Sequence, residues 1–237
     1  MSFGEYIQNA NTQLLLGFNG NRADKTGKNI ATEYNPQYGI NNGKFSQGVK
    51  TRNASSLTSG FSVANQTWLS PNFGNFTLSI WFLTSDTRTL SAKYLMIKYN
   101  NAAQNNVYFI NLTTVYGIQG YYRDNSGNAV TVSYGSGLND GKWHHVAWVR
   151  NGTTGLMYLD GKFVGSNTNS LMVQIINTNN AAAHLWIGIY SNSTSPTAFQ
   201  YQYHFDGLLD EAMIENVAWD AGKVAKYYTQ CKGRFGV

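Results

Sequence analysis

The chain has 237 residues, 42% of them hydrophobic, which suits one large β-sandwich or two small domains and excludes a disordered chain. Only 12% are charged, roughly half the usual share, and 17 Lys and Arg against 12 Asp and Glu leave a net charge of +5 scattered as single residues, so no specific nucleic-acid partner is expected. A lone cysteine, Cys231, excludes an intrachain disulfide, and the absence of a basic leader or a long apolar run implies a chain made without Sec-type export and without a membrane partner.

Leu14–Phe18 reads as a short strand, preceded by an N-terminal segment, residues 1–13, that reads as an extended arm. A polar loop follows, and Gly39–Ser59 reads as short strands and turns. In Phe76–Leu83, FTLSIWFL, the residues Phe76, Leu78, Ile80 and Phe82 share one face. Thr77, Ser79, Trp81 and Leu83 take the other, which becomes apolar toward its end as in an inner strand. Tyr94–Tyr99 and Val107–Ile110 come next. Ile118–Arg123 and Ala129–Tyr134 flank Asp124–Asn128, a hairpin turn rich in Asn and Gly. Trp143–Arg150 and Gly155–Leu159 form a further pair. Trp143, His145, Ala147 and Val149 lie on one side of its first strand, and His144, Val146 and Trp148 on the other. Lys162–Gly165, Leu171–Ile176 and Leu185–Tyr190 are further strands, and Phe205–Glu215 is a long one. Trp219–Tyr228 is the one helical segment, with Asp220 as its cap and Val224, Tyr227 and Tyr228 on its buried side. Strands at nearly regular spacing with no linker predict an all-β, two-sheet antiparallel sandwich with one short C-terminal helix, filling residues 1–237 as a single domain.

Four stretches carry a family resemblance: LLLGFNGNRADKTGKN at the start, GNFTLSIWFLTS (Gly74–Ser85), GLNDGKWHHVAWVRNGTTGLMYLDGKFVG (Gly137–Gly165) and FDGLLDEAMIENVAWDAGKVAKYY (Phe205–Tyr228). Together they resemble laminin-G-like jelly rolls of the concanavalin-A-like lectin and glucanase superfamily, including those found in phage structural proteins. The resemblance implies a jelly-roll fold and leaves function open, because this fold carries lectins, hydrolases, adhesion modules and particle components. Glucanases of the superfamily carry Glu-x-Asp-x-Glu on one strand, which aims their carboxylates into one groove. Here Glu211 and Glu215 share a face, but Met213 stands where the middle acid belongs, so no enzyme is expected and no catalytic residue is assigned.

The resemblance also raises calcium, which relatives hold at the sandwich rim with six to eight oxygens. The candidate donors are Asp24, Asp140, Asp160, Asp206 and Asp210, although Asp140 and Asp160 each precede Gly and read more simply as turn residues. His144 and His145 are adjacent and face opposite ways in a strand, so they do not ligate one metal together. His184 and His204 have no ligand spacing, and Cys231 has no assignable base. For a ligand or partner surface the candidates are Tyr121, Tyr122, Tyr134, Tyr190, Tyr201 and Tyr203, since Tyr with Asn and Ser suits both glycans and protein contacts. The run Phe199–Phe205, FQYQYHF, reads as alternating, with Phe199, Tyr201, Tyr203 and Phe205 on one side.

The leading expectation from these features is a non-enzymatic virion structural protein, a capsid decoration or tail accessory. Such a protein works through contacts with coat or tail partners in a multi-copy, oligomeric assembly, and weak binding of a surface glycan is compatible with that role. The alternative is a stand-alone carbohydrate-binding module or adhesin.

Overall fold

The computed structural model describes residues 8–39, 49–51, 53–54, 57–71, 74–99, 107–172, 176, 178, 183–191 and 199–235. The strands are β1 (Thr12–Leu16), β2 (Ala31–Tyr34), β3 (Gln37–Tyr38), β4 (Val49–Thr51), β5 (Asn53–Ala54), β6 (Leu57–Thr58), β7 (Gly60–Val63), β8 (Phe76–Leu83) and β9 (Lys93–Tyr99). They continue as β10 (Val107–Leu112), β11 (Ile118–Arg123), β12 (Ala129–Tyr134), β13 (Trp143–Asn151), β14 (Thr154–Leu159), β15 (Lys162–Thr168), β16 (Leu185–Ile187) and β17 (Gly207–Glu215), followed by helix α1 (Ala221–Phe235).

One sheet of eight strands runs β15-β14-β13-β8-β17-β4-β3, and β1 joins it on the edge of β17 that also carries β4. A second sheet of seven runs β12-β11-β10-β9-β16-β7-β2. All strand pairings in both are antiparallel. The expected two-sheet antiparallel sandwich with a C-terminal helix is therefore the observed architecture.

Alternation along β8 and β13 builds the layers. Phe76, Leu78, Ile80 and Phe82, with Val146 and Trp148, point between the sheets into the main core. Trp81, Trp143, Ala147 and Val149 point the opposite way and are buried under α1 by Trp219, Val224, Tyr227 and Cys231. Trp81 stacks on Tyr228, centroids 5.4 Å apart and planes 11° apart. Both faces of the eight-stranded sheet are thus covered, which is why its inner strands are apolar on both sides. Full burial of a large apolar side chain contributes about 1.5–3 kcal/mol, so the helix secures a second core and not merely a cap.

The helix begins where expected: Asp220 accepts the Lys223 amide on its side chain at 2.6 Å and the Val224 amide on its carbonyl at 3.1 Å. It runs seven residues past the expected end, since Cys231 continues the buried stripe of Val224, Tyr227 and Tyr228. The Phe199–Phe205 run differs from expectation. Phe199 makes an isolated bridge to Ser191, and Tyr201–Tyr203 form a 3-10 turn closed by the Tyr203 amide on the Gln200 carbonyl. The strand that follows starts at Gly207. Of the expected strand Leu171–Ile176, residues 173–175 lie outside the described residues, as do residues 1–7 of the expected arm, while Thr12 and Gln13 belong to β1. Among the described residues no helix is long and apolar enough to cross a membrane.

Candidate binding face

The seven-stranded sheet turns one face to the core, and register decides what stands on the other. Between β10 and β11, Asn111 opposes Gln119, Phe109 opposes Tyr121 and Val107 opposes Arg123. On β9 the residues opposing Asn111, Phe109 and Val107 are Tyr94, Ile97 and Tyr99. On β12, beyond β11, stand Ser133, Thr131 and Ala129. These share the outer face because strand side chains alternate, while Tyr108, Ile110 and Tyr122 enter the core. Trp186 and Ser62 extend the middle row.

Phe109 and Tyr121 stack with centroids 4.8 Å apart and planes inclined by 13°. That spacing matches the distance between neighbouring strands, so the rings stand upright, side by side. Phe109 covers one side of Tyr121, and the other side of Tyr121 turns toward β12, where the opposing residue is the small Thr131. Tyr94 meets Phe109 edge-on at 5.2 Å and lies 5.0 Å from Tyr190 and 6.0 Å from Tyr203. A second group joins Tyr34, Trp186 and Phe199 at 5.3–6.1 Å. Ile97, Val107, Trp186 and Ile189 form its buried floor, with the tyrosines and phenylalanines half-buried around them.

The segment after β16 folds back over part of this face. Gly188 reverses the chain at φ 72°, its amide donating to the Leu95 carbonyl at 3.0 Å and its carbonyl accepting the Phe205 amide at 2.9 Å. A Cβ there would meet Thr51 at 2.9 Å, so both the positive φ and the space require glycine. The fold-back brings His204 beside β9 through a bridge to Tyr94. Burial holds the His204 imidazole neutral, its pKa lowered to about 4, with Nε2 3.2 Å from the Tyr190 carbonyl. Burial likewise pushes the Tyr190 hydroxyl up to about 12, so these rings act as neutral phenols at physiological pH.

Polar groups border the rings. Gln119 Nε2 donates to Ser133 Oγ at 2.9 Å. Asn111 is 2% exposed, and its Oδ1 accepts no hydrogen bond among the described residues. The Nε of Arg123 is buried and donates none there either.

Of the six tyrosines singled out in the sequence, the structure brings Tyr121, Tyr190 and Tyr203 into this array. Tyr122 is fully buried between the sheets, 5.5 Å from Trp148 and 6.0 Å from Phe76, because it alternates with Tyr121. Tyr134 ends β12 exposed and apart from the array. Tyr201 lies in the 3-10 turn, and its side chain is outside the described residues. Sequence reading missed Tyr34, Tyr94, Phe109, Trp186 and Phe199. The irregularity in β9 that places Leu95 beside Met96 on the core side broke the alternation that would have grouped Tyr94 with Ile97 and Tyr99.

The five aspartates serve other partners. Asp24 accepts the Leu15, Thr26 and Asn29 amides and the Thr26 and Asn29 side chains, which fixes the loop after β1. Asp140 and Asp160 come together around His144, at 3.2 Å from Nε2 and 2.8 Å from Nδ1. Burial alone would lower the His144 pKa, but the two carboxylates, Asp160 first, hold it above its ordinary value. Asp206 lies 3.6 Å from Arg88 Nη2, and Asp210 is fully buried in β17. Among the described residues no group of three or more His, Cys, Asp or Glu side chains is placed to hold a metal ion. His145 is fully buried, 2.8 Å from Ser79 Oγ and packed on Trp81, its pKa lowered by burial to about 3.

Glu211 and Glu215 are both fully buried. Glu215 is occupied by Asn9 Nδ2 at 2.8 Å, Thr12 Oγ1 at 3.2 Å, Trp219 Nε1 at 2.6 Å and Lys223 Nζ at 2.5 Å. It is a structural carboxylate and lines no groove with a second acid. Glu215 also lines a cavity of about 400 Å3, together with residues that include Gln13, Trp68, Phe76, Tyr108 and Asn216 and with no second acid.

This geometry is that of an antiparallel β-sandwich with an aromatic outer face, a lectin-type architecture. The profile of the concanavalin A-like lectin/glucanases superfamily, laminin G type, matches residues 46–225, and the chain belongs to that family. No curated protein sequence matches it. Among solved structures, the binding domain of Paraclostridial Mosquitocidal Protein 1 is similar with a TM-score of 0.71 and 16% identity, over 92% of this chain and 52% of that one. The binding domain of botulinum neurotoxin DC, in complex with SialylT, is similar with a TM-score of 0.70 and 12% identity, over 94% of this chain and 52% of that one. The botulinum neurotoxin serotype G binding domain is similar with a TM-score of 0.69 and 14% identity, over 92% of this chain and 51% of that one. The chain thus spans about half the length of these structures, and at such identities the likeness is one of fold.

These findings correct the leading expectation. The similar structures are binding domains of toxins, not capsid or tail components, so the virion role, the coat or tail partners and the virion localisation drawn from it are withdrawn.

Proposed function

We propose that the chain acts as one laminin-G-like module that binds carbohydrate on a receptor, through the outer face of its seven-stranded sheet. The observation that carries this reading is the Tyr121 ring. One side is stacked on Phe109 at 4.8 Å, and the other turns toward Thr131, between Gln119 and Arg123 on the same strand face. A sugar presents an apolar C–H face to an aromatic ring and hydroxyls to amides and hydroxyls, and this face offers both at neighbouring positions. The toxin binding domains that share the fold support a receptor-binding role, one of them in complex with SialylT and another with rat synaptotagmin II.

The test is a glycan microarray probed with the wild-type chain and with Tyr121→Ala. Loss of the stacked pair costs about 1 kcal/mol of stability, which a domain of this size tolerates, so the variant still melts cooperatively. Glycan binding by the wild type should fall at least about tenfold in the variant, the equivalent of ~1.4 kcal/mol. An unchanged binding profile in a folded Tyr121→Ala protein would move the site off this face.

A further inference from the structure

We infer that Asp140, His144 and Asp160 form a pH-operated clasp, closed while the imidazole carries both of its protons and opened at the Asp140 arm when it loses one. The clasp lies where the loop from β12 enters β13, and it stands whether or not the outer face binds carbohydrate.

The chemistry of the three side chains sets the condition. His144 Nδ1 lies 2.8 Å from Asp160 Oδ2, and Nε2 lies 3.2 Å from Asp140 Oδ1. An ionised carboxylate only accepts hydrogen bonds, and a neutral imidazole has a single N–H to donate. Both contacts are therefore hydrogen bonds only in the imidazolium. Once a proton is lost, one ring nitrogen turns a lone pair toward a carboxylate oxygen, and the two repel. The His144 side chain is 12% exposed, so water does little to replace the missing bond.

The backbone decides which arm lets go. Asp160 is fastened to β13 twice more: its Oδ1 accepts the His145 amide at 2.8 Å, and its own amide donates to the His145 carbonyl at 2.8 Å. Asp140 makes the longer contact to the ring. Its other partners, the Lys142 amide at 2.9 Å and Lys142 Nζ at 3.3 Å, belong to its own loop. The remaining proton therefore stays on Nδ1, facing Asp160, and Nε2 gives up the other. Leu138 and Asn139 remain tied to the Tyr116 and Asp86 carbonyls at 2.9 and 2.8 Å, which confines the opening to residues 140–142.

The charged and titratable groups around the ring are Asp140 and Lys142 from the loop, Asp160 from the turn between β14 and β15 and, across that turn, the Tyr228 phenol of α1. The β8 strand presents Phe82, its ring 5.6 Å away. Burial disfavours the imidazolium, but Asp160 and then Asp140 hold the His144 pKa above its ordinary value. Burial would raise Asp140 as well, yet the Lys142 amide and His144 hold it below the usual carboxylate value. The clasp is thus closed in mildly acidic solution and opens as pH rises through the raised histidine value.

The experiment is a titration of the full chain from about pH 5.5 to about pH 9, followed by nitrogen NMR of the imidazole and by exchange of backbone amides. Nε2 should lose its proton at a midpoint above about 6.5 while Nδ1 keeps its own. Across that midpoint the Gly141 amide, which donates to the Thr84 carbonyl at 3.0 Å, should lose at least about threefold of its protection relative to the random-coil rate, with the Asp160 amide unchanged. Asp140→Asn supplies an amide that either accepts from an N–H or donates to a lone pair. Its Gly141 protection should therefore be the same on both sides of the midpoint, and a thermal melt reports that the variant is folded. Deprotonation at Nδ1 in place of Nε2, flat Gly141 protection in the wild type, or an Asp140→Asn variant that keeps the wild-type pH dependence overturns the clasp.

Discussion

Single residues set the tolerances of this molecule, and glycine opposite tryptophan sets one of the tightest. Trp148 projects from β13 into the main core, and two glycines make room for its indole. A Cβ added at Gly120 would lie 2.4 Å from Trp148 Cδ2, and one at Gly155 would lie 2.2 Å from Cη2. Neither glycine is needed for a positive φ; both are needed for space. Overpacking of this kind costs about 1–3 kcal/mol. Gly120→Ala should lower the urea midpoint accordingly, with an unchanged slope. A midpoint equal to the wild type would mean that the indole has room to move. Sequence reading placed Trp148 on one face of its strand and Tyr121 beside Tyr122, yet it could not say which face was the core. That choice depends on the partner sheet, which periodicity within a strand does not name.

At the scale of elements, β17 is the point where three parts of the fold are tied together. The Glu215 carboxylate at its end receives Thr12 from β1, Trp219 before α1 and Lys223 within α1. Hydrogen bonds to a charged group contribute about 1.5–3 kcal/mol each when removed singly and are not additive. Glu215→Ala should therefore destabilise by about 3 kcal/mol or more and loosen the helix first, seen as loss of tryptophan near-ultraviolet dichroism before loss of far-ultraviolet signal. Simultaneous loss of both signals with no drop in stability would refute that role. This carboxylate was visible in the sequence only as a failed match to a catalytic spacing. The strands β8 and β13 were legible because both their faces are apolar or nearly so. The run FQYQYHF misled because alternating rings look the same in a strand and in a fold-back that closes through a 3-10 turn. The proposed binding face was half legible: Tyr121, Tyr190 and Tyr203 stood out by composition, whereas Phe109 joins Tyr121 through the β10–β11 register and Tyr94 meets Phe109 only across a bulged register between β9 and β10.

The whole molecule carries its buried histidines as a liability in acid. His145 and His204 are held neutral by burial, with pKa values lowered to about 3 and about 4. A lowered histidine contributes stability that is complete above the ordinary value near 6.5 and is lost as pH falls toward the folded value. His144 works the other way. Its raised pKa contributes stability below about 6.5 that fades as pH rises through the folded value. His184 is lowered as well, by burial and by Lys98, so the lowered histidines outnumber the one raised and stability should fall by on the order of 3 kcal/mol between pH 7.5 and pH 4.5. Urea titrations at those two values measure it, and a flat profile would show that His145 and His204 accept protons without unfolding.

The buried thiol under α1 has a further use. Cys231 is the chain's lone cysteine and lies 1% exposed against the outer face of the eight-stranded sheet. A thiol reagent can reach it only while the helix is lifted away. Its labelling rate under native conditions is therefore a clock for a single event, the partial opening of one layer, read without a probe being introduced. Where that rate tracks the global unfolding rate, helix and sandwich form one cooperative unit; where it runs faster, the helix is a separate, shorter-lived lid on a persistent sandwich.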